Sequence, residues 1–183
     1  VGLRRGFKTE ANATSREFRA ELGLEPEAPL CPFAAAEHLD VPIQKLTSFR
    51  SLLPEETSLL IAKGTAVSAF TACFGTDRLI IYNDALPLTR SHADIMHEIA
   101  HMLLIHPPHS VCADDGGRHY DQEMEEEANW LGPALLVSEE AALHVVRRAL
   151  DVSTAAQLYG VSRDLMRMRL NVTGAQRRVD RAA

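Results

Sequence analysis

The stretch Ile95-Met96-His97-Glu98-Ile99-Ala100-His101-Met102-Leu103 decides how the chain is read, because it sets His-Glu-x-x-His inside an apolar run of helical period. Four residues advance an α-helix by slightly more than one turn, so His97 and His101 share a face and can present ring nitrogens to one metal ion. Ile95, Ile99, Met102, Leu103 and Ile105 supply an apolar face for burial beside them. No charge except Glu98 interrupts residues 95–105. A carboxylate buried between histidines calls for a cation as partner.

Zinc is the natural ion for such a pair: imidazole suits it, and a catalytic zinc keeps three protein ligands and one open position. Glu98 follows the first histidine and would sit beside that position, where a carboxylate can take a proton from water. This is a metalloprotease arrangement. It lacks a third ligand. The metzincin spacing would need glycine three residues after His101 and histidine six after it, but Leu104 and Pro107 stand there. His106 and His109 miss that spacing and read as loop histidines.

The acidic run Glu123-Met124-Glu125-Glu126-Glu127 offers the alternative. Glu125 and Asn129, at i and i+4, pair an inward carboxylate with a polar residue that could orient a metal-bound histidine. Glu125 is therefore the candidate third ligand and Asn129 the candidate orienter. Glu123, Glu126 and Glu127 read as a solvated helix face. Candidates for stabilising the transition-state oxyanion are Tyr120, His119, His109 and Tyr82.

At 183 residues, nearly half of them hydrophobic, the chain can bury one full core. The net charge of −6 is unevenly spread: from Arg147 onward eight Arg face three Asp, leaving −11 on residues 1–146. Cys31, Cys73 and Cys112 show no CxxC spacing, which argues against a thiolate zinc site and for a reducing cytoplasm. No apolar run approaches a membrane span and no secretory signal pattern opens the chain, so a soluble, cytoplasmic protein is expected.

In chain order, helical spacing predicts helices over 9–22 and 33–39, the second with Pro32 in its first turn. Short β-like runs follow at 41–46, 66–74 and 78–82, the last two joined by the turn Gly75-Thr76-Asp77, so a small, mainly antiparallel sheet is expected. Residues 50–64 fit a loop or one helical turn. The metal helix should be capped by Thr89 or Ser91 and run to about Ile105, before Pro107-Pro108 stops it. Residues 107–121 have loop chemistry. A helix from Gln122 carries Met124, Ala128, Leu131 and Leu135 on one face and should kink or break at Gly132-Pro133. Ser138 would cap a helix over 139–150, Ser153 would open a short one ending at Gly160, and Ser162 would cap another over 163–170. The last ten or so residues read as frayed.

Arg5-Gly6-Phe7-Lys8, Ser68-Ala69-Phe70-Thr71, His97-Glu98-Ile99-Ala100-His101, Glu125-Glu126-Glu127-Ala128-Asn129-Trp130-Leu131 and Ala134-Leu135-Leu136-Val137 together resemble the ImmA/IrrE family of metallopeptidases. The resemblance covers nearly the whole chain. It implies an α+β, compact, gluzincin-like fold, one zinc per chain on His97, His101 and Glu125, and Glu98 as general base. It also implies cleavage of helix-turn-helix repressors in stress response or mobile-element control.

The expected organisation is a zincin-like domain over 1–150 and a helical appendage over 151–183. In that appendage Ala156, Gly160, Val161, Ser162, Met166 and Leu170 resemble a helix-turn-helix, with Arg163, Arg167 and Arg169 on its second helix. The piece is too short for its own core, which favours a brace packed on the body over a DNA reader. Two functions follow. One is a zinc endopeptidase with a protein substrate; the alternative is a regulatory DNA- or protein-binding protein with a vestigial zinc site.

Overall fold

A computed structural model describes residues 2–62, 68–107 and 121–182. Its order is α1 (Phe7–Glu21), α2 (Pro32–His38), β1 (Ile43–Lys45), a 3-10 turn (Leu46–Phe49), α3 (Pro54–Ala62), β2 (Ala69–Phe74), β3 (Asp77–Tyr82), α4 (Leu88–Leu103), α5 (Gln122–Leu136), α6 (Glu139–Arg147), α7 (Val152–Leu158), α8 (Arg163–Thr173) and α9 (Ala175–Asp180). No described helix is long and apolar enough to cross a membrane.

The α+β class holds, and the sheet is mixed where a mainly antiparallel one was expected. Its strands run β1-β3-β2. β2 and β3 form the antiparallel hairpin, Ala69 opposite Tyr82 and Phe74 opposite Asp77, turning where Gly75 takes φ 64, a conformation that costs glycine little. β1 pairs in parallel with β3, Ile43 opposite Ile80 and Lys45 opposite Tyr82. A strand of three residues carries too short an alternation to reveal its direction.

Helices α4 and α5 pack against each other at the centre. Ile95, Met96, Ile99 and Ala100 of α4 and Ala128, Leu131, Leu135 and Leu136 of α5 are buried in one cluster with Phe7, Ala11 and Phe18 of α1. Each large side chain so buried contributes on the order of 1.5–3 kcal/mol before conformational entropy is counted. Ile105, expected on the buried face, is instead 84% exposed because the helix has already ended and the chain has turned outward.

Of the kink or break expected at Gly132-Pro133, the break does not occur; α5 runs through Pro133 to Leu136. Proline removes the donor that would have met the carbonyl of residue 129, and Asn129 lies on the exposed side, where water can take its place. Gly132 has a packing role: a Cβ there would meet Cα and N of His97 at 3.2 Å. The glycine lets the two helices approach closely beside the first histidine.

Where a loop or one helical turn was expected after Arg50 the chain forms the longer helix α3, and the expected frayed end contains α9, whose Ala175 is buried and whose Arg178 pairs with Glu139 of α6. Asp151, rather than Ser153, caps α7, accepting from the amides of Ser153 and Thr154. Ala155, Ala156, Tyr159, Val161 and Met166 belong to the same core cluster as the α4 and α5 residues. Arg163 and Arg167 are exposed, but Arg169 is buried and its Nε donates to the carbonyl of Val137 at 2.9 Å. Arg169 is thus not presented to an external partner.

Candidate metal centre

The α4 helix brings the Nε2 atoms of His97 and His101 to 3.0 Å from each other. Glu125, in the first turns of α5, places Oε2 3.4 Å from His97 Nε2 and Oε1 3.4 Å from His101 Nε2. Asp121 caps that helix through the amides of Glu123 and Met124, and the positive end of its dipole favours an anionic Glu125. A tetrahedral ion with ligand bonds of about 2.0–2.1 Å has edges near ~3.3 Å, and each histidine nitrogen stands at about that spacing from the other and from one oxygen of Glu125. Their ligand atoms all lie within 4.8 Å of one another.

The electrostatics favour positive charge there. Hydrogen bonds from His101 and His97 hold the Glu125 carboxyl far below the usual carboxylate range. Burial alone would lower His97, but the bond to Glu125 and the carboxylates of Glu98, Glu125 and Asp94 together raise it. Burial raises Asp94, with Arg90, 2.8 Å away, opposing that shift.

Glu98 stands beside the cluster with one oxygen committed: Thr71 Oγ1 of β2 donates to Oε2 at 2.6 Å. The strand thereby fixes the carboxylate that the sequence offers as base. A lone Thr in a β-like run gave no signal of this contact, which depends on how the sheet lies against α4.

Two residues set aside in the sequence reach the site. The α4 helix ends in a reversal: Ile105 has φ 55, and the amides of Ile105 and His106 donate to the carbonyls of Met102 and His101. That turn sends His106 back inward, where it is buried with Nδ1 2.9 Å from Nδ1 of His101 and Nε2 3.3 Å from Glu127 Oε2. Glu127 in turn accepts from Nε of Arg4 at 2.6 Å, and Arg4 also binds Glu10 at 2.6 Å. Burial pushes His106 below the usual histidine value against the opposing pull of Glu127. His106 is a loop histidine, as expected, but a buried one, and the Glu127 side chain is largely shielded rather than solvated.

Asn129 is exposed, and the second nitrogen of His101 meets His106 instead. The helical spacing of Glu125 and Asn129 was right, but α5 turns Asn129 toward solvent. Tyr82 is buried with its ring edge-on to Phe33, 5.8 Å between centroids. His109, His119 and Tyr120 lie outside the described residues.

Two histidines one helical turn apart, an acidic residue between them and a carboxylate from the next helix define a metallopeptidase type of site. The chain belongs to the Peptidase_M78 family, whose IrrE N-terminal-like domain matches residues 49–171. That match runs from the 3-10 turn into α8 and so takes in both site helices, α7 and most of α8. No curated protein matches the chain.

Proposed function

We propose that the protein is a zinc-dependent endopeptidase in which His97, His101 and Glu125 hold one zinc ion and Glu98 is the general base. The observation that carries this reading is the convergence of His97, His101 and Glu125, one ligand atom from each lying within 4.8 Å of the others, with the Glu98 carboxylate anchored beside them. Bound zinc would supply Lewis acidity to water and to the scissile carbonyl. Glu98 keeps Oε1 to take a proton while Thr71 holds Oε2, so the carboxylate faces its task in one orientation. Strand β2 lies at the sheet edge, paired only with β3 among the described residues, and its outer backbone groups suit main-chain pairing with an extended substrate.

The substrate class we propose is a helix-turn-helix repressor, in stress-response or mobile-element regulation inside the cytoplasm. The family resemblance supports the target. A small domain with one short edge strand also has little surface with which to grip generic unfolded chains.

The test begins with metal analysis, expected to give about one zinc per chain. Glu98→Gln should keep that zinc and lose about 10²–10⁴-fold in peptide cleavage, since the amide cannot accept the proton. Incubation with a neighbouring repressor should give a single cut and casein should survive. Broad casein degradation with an intact repressor would refute the substrate assignment, and loss of zinc in Glu98→Gln would move Glu98 into the ligand set.

A further inference from the structure

We propose that His106 and Glu127, with Arg4 behind them, are positioning residues that decide which nitrogen of His101 faces the metal. This rests on the zinc reading above and extends it to residues beyond the ligand set, one of which, Arg4, lies outside the matched family region.

The direction of the chain is fixed from its far end. Glu127 accepts from Arg4 Nε at 2.6 Å, and an ionised carboxylate can only accept. His106 Nε2, 3.3 Å from Glu127 Oε2, must then be the donor of that pair. A neutral imidazole carries one ring N–H, so His106 Nδ1 is left as an acceptor. His101 Nδ1, 2.9 Å away, accordingly holds the proton of that contact. The lone pair of His101 is thereby left on Nε2, the atom that converges with His97 and Glu125. Reversing any link would place a proton on Nε2 and close the site to a cation.

A second observation points the same way. Ile105 adopts φ 55, a left-handed conformation poorly suited to a β-branched residue, and it gains no burial there. What the turn achieves is the return of His106 to His101. Outer partners of this kind orient metal histidines and raise ligand affinity.

The experiment uses the full chain, measuring zinc affinity by chelator competition and the exchange of the His101 ring N–H by nitrogen NMR on the zinc-loaded, histidine-labelled protein. Wild type should show a protected proton on Nδ1 of His101. Glu127→Gln, whose amide can donate toward His106 and reverse the chain, and His106→Phe should each bind zinc about 10–100-fold more weakly. His106→Phe should also expose the His101 proton to rapid exchange, an effect that mere loss of packing elsewhere would not produce. Arg4→Gln, altered at a half-exposed position, should give a smaller loss in the same direction and remains informative should the buried variants fail to fold.

His101→Ala is the control that separates the two readings. Undiminished zinc in that variant would overturn the ligand assignment itself. Zinc lost in His101→Ala but bound at wild-type strength by Glu127→Gln, His106→Phe and Arg4→Gln, with the proton equally protected, would overturn the positioning role and leave the zinc site standing.

Discussion

The two ends of α5 are held by opposite chemistry. At the N-terminal end Glu125 and Glu127 meet His97, His101 and His106 through side chains that are mostly buried. At the C-terminal end Ser15 donates to the carbonyl of Ala134, Arg19 to that of Leu136 and Arg169 to that of Val137. Both guanidiniums are buried, and that burial pulls each down to about 10, still cationic at neutral pH. Cations suit the negative end of a helix dipole and satisfy carbonyls that have no partner within the helix. One end thus carries the candidate metal ligands and the other is held fixed, so substitutions at the two ends should separate function from stability.

The largest effect should come from deleting residues 151–183, which takes Arg169 from the fixed end and Ala155, Ala156, Tyr159, Val161 and Met166 from the core. Cooperative thermal unfolding should be lost in calorimetry. A melting temperature within a few degrees of wild type would show that the anchor is dispensable. Next, Arg169→Ala or Arg19→Ala should cost about 1–3 kcal/mol by leaving buried carbonyls unsatisfied, with zinc affinity unchanged. A loss of zinc binding without a loss of stability would break the contrast.

Gly132→Ala sits between the ends. The added methyl would meet His97 backbone at 3.2 Å, so overpacking should cost on the order of 1–3 kcal/mol and weaken zinc binding together. The smallest effect is the pH dependence of the metal-free protein. Glu125 is depressed, so its contribution is present above the ordinary carboxylate value and is lost as pH falls through the depressed one. His97 is raised, so its contribution is present below the ordinary histidine value and is lost as pH rises through the raised one. The melting difference between wild type and Glu125→Gln should therefore be greatest between about pH 4.3 and 6.5. A difference that grows steadily with pH above that window would disprove the pairing.

The metal-facing end was the more legible in the sequence. His97, Glu98 and His101 announce themselves by helical spacing, and Glu125 follows from the need for a third donor on a nearby helix face. The positions of His106 and Glu127 were not legible, because a β-branched Ile105 does not advertise a left-handed turn and an acidic helix run looks solvated until its neighbour is known. The fixed end was hidden for a related reason. Arg19 and Arg169 look like surface charges in a sequence, and only the fold shows that carbonyls at the end of a helix are waiting for them. Gly132-Pro133 looked like a break because local propensity marks it as one, whereas close approach to His97 explains the glycine.

Trp130 is the chain's single tryptophan, and it lies on α5 five residues from Glu125. Lys8 Nζ sits 4.4 Å from its ring on one contact and the Arg169 guanidinium 5.9 Å on another. At ~1.5 Å per residue its backbone position stands about 7.5 Å along the helix axis from that of the candidate metal ligand. Its emission is therefore a built-in optical gauge: it should be quenched when a paramagnetic ion such as cobalt enters the site, and should shift when either the first or the eighth helix leaves α5.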